Sequence, residues 1–267
     1  MAGMSVPPAI EVRQLRKVFR QANSGQTVLA IEDLDLRIAP REVVAIVGQT
    51  GCGKSTFFDL MIGLDRPSAG SIVISGKTPY GDFDHFRGQI ATVFQQDRLL
   101  PWRSALDNVQ LPLEITGVAE HERHERSMSW LTRLGLGSFA HAYPRELSGG
   151  MRQRVAIARA FVLQPTILLA DEAFGHLDEV TAAELRDTFL ALARECGSTA
   201  VLITHQLEEA IGIGDRIVVF GKPAKLLADI HVERWDKRDH ALLREAIQAT
   251  LQNNAADARL LGERAVP

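Results

Sequence analysis

The sequence is poor in cysteine, because its 267 residues include only Cys52 and Cys196. Two cysteines in a chain of this length exclude the disulfide-rich scaffold of small secreted proteins and favour a reducing compartment. Positive charge is not in excess either, since 30 lysines and arginines stand against 33 aspartates and glutamates and give a formal net charge of −3. General nucleic-acid binders usually carry a basic excess, so we expect no nucleic-acid partner.

Long apolar segments are lacking as well. No apolar run approaches the roughly 20 residues that a helix needs to span a bilayer. The N-terminal segment does not show the basic part followed by an apolar part that marks a signal peptide. We therefore expect a chain that is soluble and cytoplasmic, or that lies on a membrane only through a partner.

The apolar residues that are present form short segments separated by helical patterns. Residues 43–47 are apolar throughout, which is typical of a strand buried on both faces of a sheet. The same pattern recurs at residues 167–170, 201–203 and 217–220. This alternation of buried strands with helices predicts an α/β fold with a parallel sheet.

Three regions depart from this alternation. Residues 10–12 and 34–38 alternate apolar and polar side chains, which predicts strands of a sheet with one face in water. Residues 97–160 combine a charged stretch with apolar residues at helical spacing, and we interpret them as an inserted helical subdomain. Residues 231–267 predict a polar helical tail that follows the main domain.

A glycine-rich motif follows the first fully apolar segment. It fits the pattern G-x-x-x-x-G-K-[ST] and consists of Gly48, Gln49, Thr50, Gly51, Cys52, Gly53, Lys54, Ser55 and Thr56. Glycines allow backbone N–H groups to turn toward phosphate oxygens, and the N-terminus of the following helix adds partial positive charge. Lys54 is expected to reach the β- and γ-phosphates of ATP, and the Ser55 hydroxyl to bind Mg²⁺. The strand before the motif and the helix after it disfavour the alternative, a glycine-rich turn without a ligand.

Two carboxylates, Asp171 and Glu172, follow the apolar segment 167–170. Ligands of α/β sheets bind at the carboxyl ends of the strands, which is where these side chains are expected. Asp171 would hold Mg²⁺, usually through water, and Glu172 would polarise the attacking water. The alternative is a strand that ends in two solvated acids, and the first motif disfavours it.

A second possible anion site consists of Ser148, Gly149 and Gly150 at the start of a helical pattern. Serine can cap a helix, and glycines leave its first N–H groups open to an anion. Such a site allows one chain to bind two phosphates, or two chains to enclose one nucleotide from both sides. A plain helix cap remains the alternative for Ser-Gly-Gly alone.

The string LSGGMRQR at residues 147–154 resembles the signature of ABC-type ATPases, and it lies between the two nucleotide motifs. The resemblance covers about residues 9–230. It implies the ABC ATPase fold, in which a P-loop NTPase core with a parallel sheet carries an N-terminal antiparallel β subdomain and an inserted α-helical subdomain. It also implies that the chain binds ATP and Mg²⁺ and hydrolyses ATP.

The resemblance implies roles for four further residues. Phe19 matches the aromatic residue that stacks on adenine, and Gln95 matches the glutamine that links the γ-phosphate and Mg²⁺ to the helical subdomain. Asp178 matches the aspartate loop at the dimer interface. His205 matches the histidine that contacts the γ-phosphate and orients the base and the water.

Within this family, residues 99–102 (Leu-Leu-Pro-Trp) and the pair Tyr143-Pro144 resemble the nitrate, sulfonate and taurine importer branch. Two positions depart from the family pattern. Ala173 stands where proline is typical, and His176 stands where a small residue is typical. These departures leave the expected acid and base in place, and they bear on the dimer contact near the aspartate loop.

The resemblance implies the energy-coupling ATPase of a bacterial importer for a small anion such as nitrate, a sulfonate or taurine. Two copies would form a head-to-tail dimer on integral membrane permease subunits at the cytoplasmic face of the inner membrane, and an extracytoplasmic solute-binding protein would belong to the same system. The alternative is a soluble ABC ATPase that acts on nucleic acid or ribosomes. A non-catalytic scaffold is a third possibility, which the intact Lys54, Asp171, Glu172 and His205 disfavour.

Overall fold

The computed structural model describes residues 7–20, 26–175 and 177–254. The chain forms two compact units. The first unit combines the chain up to Asp84 with the chain from Thr199 onward, and the second unit runs from His85 to Ser198. In the described part of the chain, no helix is both long enough and apolar enough to cross a membrane.

The first unit begins with strands β1 (Ile10–Arg20), β2 (Thr27–Ile38) and β3 (Val43–Gly48), followed by helix α1 (Lys54–Met61) and strand β4 (Ala69–Ile74). Strands β1, β2 and β4 form an antiparallel sheet in the order β2-β1-β4. Leu34, Leu36 and Ile38 are buried and alternate with exposed or half-buried residues, because successive side chains of a strand point to opposite faces. This sheet confirms the predicted N-terminal antiparallel subdomain.

The second unit contains strand β5 (Ile90–Phe94), helices α2 (Ala105–Ile115), α3 (Glu120–Arg133) and α4 (Gly149–Phe161), strand β6 (Ile167–Asp171) and helix α5 (Glu179–Cys196). β5 and β6 pair in parallel. The ring of Phe161 packs against Trp130 of α3 and Phe189 of α5, with centroids 5.9 Å and 5.5 Å away, and so joins three helices. The predicted helical segment 97–160 holds α2, α3 and nearly all of α4, but the compact unit around them also includes β5, β6 and α5.

The chain then completes the first unit with strand β7 (Thr199–Thr204), helix α6 (Leu207–Ile213), strands β8 (Arg216–Phe220) and β9 (Leu226–His231) and helix α7 (His240–Asn253). The strands of its second sheet follow the order β7-β3-β8-β9. β3 pairs in parallel with β7 and β8, and β9 pairs with β8 in the antiparallel direction. All six residues of β3 are buried, as expected for a strand covered on both faces.

The C-terminal segment differs from the predicted polar tail. Helix α7 buries Leu243, Ala246 and Ile247 in the core that also contains Val47 and Val219. The spacing of three and four residues places these side chains on one face of a helix. The prediction missed this face because it consists of a few apolar residues within an otherwise polar segment. The rest of the predicted tail, residues 255–267, lies outside the described residues.

We expect Ile247→Ala to lower the free energy of unfolding by about 2–5 kcal/mol, because it removes a fully buried side chain and leaves a cavity against the sheet. Chemical denaturation measures this change. Leu242→Ala is the matched control, since Leu242 belongs to the same helix and is 59% exposed. An equal effect of both variants would show that α7 is not packed through this face.

Candidate nucleotide-binding site

The phosphate-binding motif lies between the end of β3 and the start of α1, and its glycines pack too closely for side chains. A Cβ at Gly53 would lie 2.3 Å from the carbonyl oxygen of Ala30, and one at Gly48 would lie 2.7 Å from Sγ of Cys52. Gly53 also has a φ of 113°, a conformation that favours glycine. Cys52 is buried and contributes packing, as expected for a small residue in this loop.

Lys54 points into the loop that precedes it. Its side chain is buried, and its Nζ donates hydrogen bonds to the carbonyl oxygens of Gly48 at 2.7 Å and Gln49 at 3.2 Å. These bonds hold the ammonium group inside the curve of the loop, where a phosphate group would exchange with them. Ser55 is exposed at the first turn of α1, so its hydroxyl is open to a cation.

The first unit brings His205 to the same sheet edge as the loop. In the register of β3 and β7, Val47 lies opposite Thr204. Gly48 and His205 are therefore the next residues at the carboxyl ends of two neighbouring parallel strands. Thr204 shapes the turn that follows, because its hydroxyl donates to the Glu209 carboxylate and accepts the backbone N–H of Gln206 at 3.0 Å.

Phe19 lies on β1 and is 40% exposed, so it does not belong to the buried core. Its strand partner is Val28, and Val28 is two residues from Ala30, whose carbonyl approaches Gly53. The Nζ of Lys17 lies 4.8 Å from the centre of the Phe19 ring. The exposed ring is thus on the strand pair that borders the phosphate loop, as stacking on adenine requires.

The second unit brings Gln95 and Glu172 together. Phe94 lies opposite Asp171 in the parallel pair of β5 and β6, so the residues after them share one sheet edge. Gln153 of α4 ties both strand ends, because its Nε2 donates to the carbonyl of Ala173 at 2.6 Å and to that of Phe94 at 3.4 Å. Glu172 has a φ of 48°, in the left-handed region of backbone conformations.

The Ser-Gly-Gly sequence begins α4. Ser148 accepts the backbone N–H of Met151 at 3.3 Å and caps the helix, while Ser148 and Gly149 are exposed. A Cβ at Gly150 would lie 3.0 Å from Cγ2 of Thr181, so these glycines border the start of α5. Asp178 caps α5, because its carboxylate accepts the backbone N–H of Thr181 at 3.0 Å. This hydrogen bond holds the pKa of the Asp178 carboxyl below its usual value.

The structure describes one of the two positions that depart from the family pattern. Ala173 is buried, and its backbone carbonyl accepts the hydrogen bond from Gln153, a bond that a proline at this position could also accept. His176 lies outside the described residues.

Sequence reasoning missed the roles of three side chains of α4. Gln153 holds the ends of β5 and β6, and the other two hold the segment after Gln95. Arg152 donates from Nε to the Asp97 carboxylate at 2.9 Å, and Arg159 donates to the carbonyl of Asp97 at 2.6 Å. Burial lowers the pKa of Arg159. Arg152 and Gln153 belong to the string at residues 147–154 that carries the family resemblance, but the string by itself does not show which groups they bind.

The predicted ligands of Mg²⁺ are the hydroxyl of Ser55, the side-chain amide of Gln95 and the carboxylate of Asp171. This set suits a cation that keeps several waters and binds partly through substrate phosphates. The phosphates themselves would bind to the loop. Two of its glycines leave no space for a Cβ, and it encloses the ammonium group of Lys54. That all these residues act in one site remains a prediction.

A family model described as "ABC transporter" matches residues 31–175. This chain belongs to the ABC transporter family. The taurine import ATP-binding protein TauB of Rhizobium johnstonii is 38% identical over 253 residues, which cover 88% of this chain and 94% of the relative. The glycine betaine/proline betaine transport ATP-binding protein ProV of Salmonella typhimurium is 42% identical over 196 residues, which cover 72% of this chain and 49% of that protein.

The chain also resembles the dimeric structure of the ATP-binding cassette MJ0796 in a post-hydrolysis state with ADP and Pi. The two match with a TM-score of 0.74 and 33% identity over 84% of this chain and 98% of that one. These comparisons confirm the predicted ABC ATPase fold, the ATPase activity of the family and the resemblance to the importer branch that includes taurine importers.

We expect Phe19→Ala to raise the KM for ATP while leaving kcat nearly unchanged. Stacking contributes equally to the bound substrate and to the transition state, so its loss affects binding alone. By analogy with base stacking on aromatic side chains, the loss is about 1–3 kcal/mol. Leu226→Ala, which truncates a comparably exposed apolar residue on β9, serves as the control. An unchanged KM in Phe19→Ala would remove Phe19 from the adenine site.

Proposed function

We propose that this chain is the ATP-hydrolysing subunit of a bacterial importer, and that the imported solute is a small anion such as nitrate, a sulfonate or taurine. The observation that carries the proposal is the presence of two phosphate-binding features in one chain. These are the loop that encloses Lys54 and the exposed, serine-capped start of α4. The solute class rests on the similarity to taurine import proteins and on residues 99–102.

The residues of the proposed site have different roles in hydrolysis. Lys54 binds the β- and γ-phosphates, and Ser55, Gln95 and Asp171 hold Mg²⁺, directly or through water. Bound Mg²⁺ offsets the negative charge that shifts as the γ-phosphate is transferred. Glu172 accepts the proton of the attacking water, and His205 orients that water and contacts the γ-phosphate.

A second copy of the chain completes the arrangement. Ser148 and Gly149 are exposed, so the N-terminal end of α4 can receive an anion from another molecule. In a head-to-tail dimer, each ATP lies between the Lys54 loop of one copy and Ser148-Gly149-Gly150 of the other, with Asp178 at the interface. The dimeric cassettes among the similar structures support this assembly.

The loop at residues 99–103 suits contact with a membrane permease. Asn108 fixes it from inside, because its side chain accepts the N–H of Leu100 at 2.8 Å and donates to the carbonyls of Leu100 and Arg103. This rigid loop exposes 72% of Trp102, and tryptophan is enriched where partners bind. The chain is then peripheral at the cytoplasmic face of the inner membrane, with a solute-binding protein on the other side. The alternative function, a soluble ABC ATPase that acts on nucleic acid or ribosomes, would not require a permease contact.

We expect Trp102→Ala to abolish solute uptake in cells that contain the permease, while the basal ATPase rate of the isolated protein stays within about twofold. The side chain is exposed and carries no phosphate chemistry. Ile115→Ala is the matched control, since it truncates another exposed apolar residue of the same unit and should leave both activities intact. If Trp102→Ala lowers both activities equally, its effect is on folding and not on coupling.

The direct test of the proposed function is Glu172→Gln. This change removes the proton acceptor but keeps the size of the side chain, and loss of a general base typically lowers the rate by about 10²–10⁴. ATP stays bound, and a ligand that binds only the closed dimer shifts the equilibrium toward it by mass action. We expect the variant to form a stable dimer in Mg-ATP, measured by size-exclusion chromatography with light scattering.

Adding Ser148→Arg to Glu172→Gln should abolish that dimer, because a bulky side chain then occupies the second phosphate contact. The wild-type protein should be a monomer or only a transient dimer under the same conditions. A Glu172→Gln protein that hydrolyses ATP at the wild-type rate, or binds ATP and remains monomeric, would contradict the role of Glu172.

A further inference from the structure

The last helix of the first unit ends against the phosphate loop. The side-chain amide of Gln49 donates a hydrogen bond of 2.6 Å to the carbonyl oxygen of Leu251. Gln49 is the second residue of the loop motif, and Leu251 lies in the last turn of α7. Carbonyl groups in the last turn of a helix have no partner within the helix, so this acceptor is open to the loop.

A second connection starts at Asn254, the residue after α7. Its Oδ1 accepts the backbone N–H of Lys222 at 2.7 Å, and its Nδ2 donates to the carbonyl of Lys222 at 2.9 Å. Gly221 leaves room for this amide, because a Cβ there would lie 2.7 Å from Oδ1 of Asn254. The side chain of Lys222 in turn reaches the phosphate loop, with Nζ 3.7 Å from the position of a Cβ on Gly51.

Helix α7 is itself held in place by the rest of the unit. Leu243 and Ile247 are fully buried against the sheet that carries the loop. Arg244 forms an ion pair of 2.8 Å with Glu208 on α6, the helix that begins two residues after His205. The end of α7 therefore has a fixed position relative to β3 and to the strand that leads to His205.

We propose that the end of α7 positions the phosphate loop for nucleotide, with Asn254 acting through Lys222 and the Leu251 carbonyl acting through Gln49. This inference rests on the proposed nucleotide site around Lys54. A loop that already has its bound shape avoids the cost of being ordered by the ligand. Asn254 is a positioning residue and touches no phosphate, so its loss should weaken ground-state and transition-state binding equally.

The test uses the full chain with the Asn254→Gly substitution. Asn254 has a φ of 48°, and glycine keeps this conformation without strain while removing the amide. We expect the Kd for Mg-ADP to rise by roughly three- to tenfold and the KM for ATP to rise equally, with kcat within about twofold, as befits two lost hydrogen bonds. Asn254→Asp retains the acceptor for the N–H of Lys222 and should recover part of the loss.

Two further variants test whether the change in Kd comes from the Asn254 amide. Gly221→Ala should raise the Kd in the same direction, because its Cβ displaces the Asn254 amide. Gln252→Ala is the matched control, since Gln252 is an exposed neighbour at the same end of α7, and it should leave the Kd unchanged. Melting temperatures are recorded for every variant. An unchanged Kd in Asn254→Gly, with or without a lowered Tm, would overturn the proposal.

Lys54→Ala separates this inference from the function on which it rests. If Lys54→Ala loses nucleotide binding while Asn254→Gly binds as the wild type does, only the positioning role fails. If Lys54→Ala itself binds nucleotide as the wild type does, the proposed site is wrong, and the role of Asn254 falls with it.

Discussion

The close packing of the phosphate loop on its neighbours is the constraint on which the rest of the first unit depends. Without side chains at Gly48 and Gly53, the backbone comes within contact distance of Cys52 and of the Ala30 carbonyl. The same Ala30 carbonyl accepts the N–H of Ala224 at 3.0 Å, so three segments of the unit meet at the loop. Its curve, and the place of the Lys54 ammonium within it, are fixed by strands that cannot shift without loss of core packing.

Helix α4 has a comparable role in the second unit. Its first residue is preceded by the serine cap that a phosphate would approach, its middle carries Gln153, and its last turns carry Arg159. One rigid helix therefore connects the proposed contact with a second copy, the strand end that bears Glu172 and the segment that follows Gln95.

The loop proposed to contact a permease and the end of α7 are held in place by different groups of residues. The loop that exposes Trp102 obtains its shape from Asn108, whose hydrogen bonds go to the backbone and not to a nucleotide-binding residue. The end of α7 obtains its place from a buried apolar face.

The sequence by itself determined the parts whose chemistry is local. A phosphate loop needs glycine at fixed offsets and a lysine at one position, so residues 48–56 predict the site without knowledge of anything distant. The fully apolar strands and the string at 147–154 likewise predicted the fold and the family. Only the tertiary structure decided which distant groups support these motifs. The sequence does not show the partners of Gln153 and Asn254, which lie on other segments of the chain. The buried face of α7 was hidden for the same reason, since a few apolar residues in a polar helix acquire meaning only from the surface that they meet.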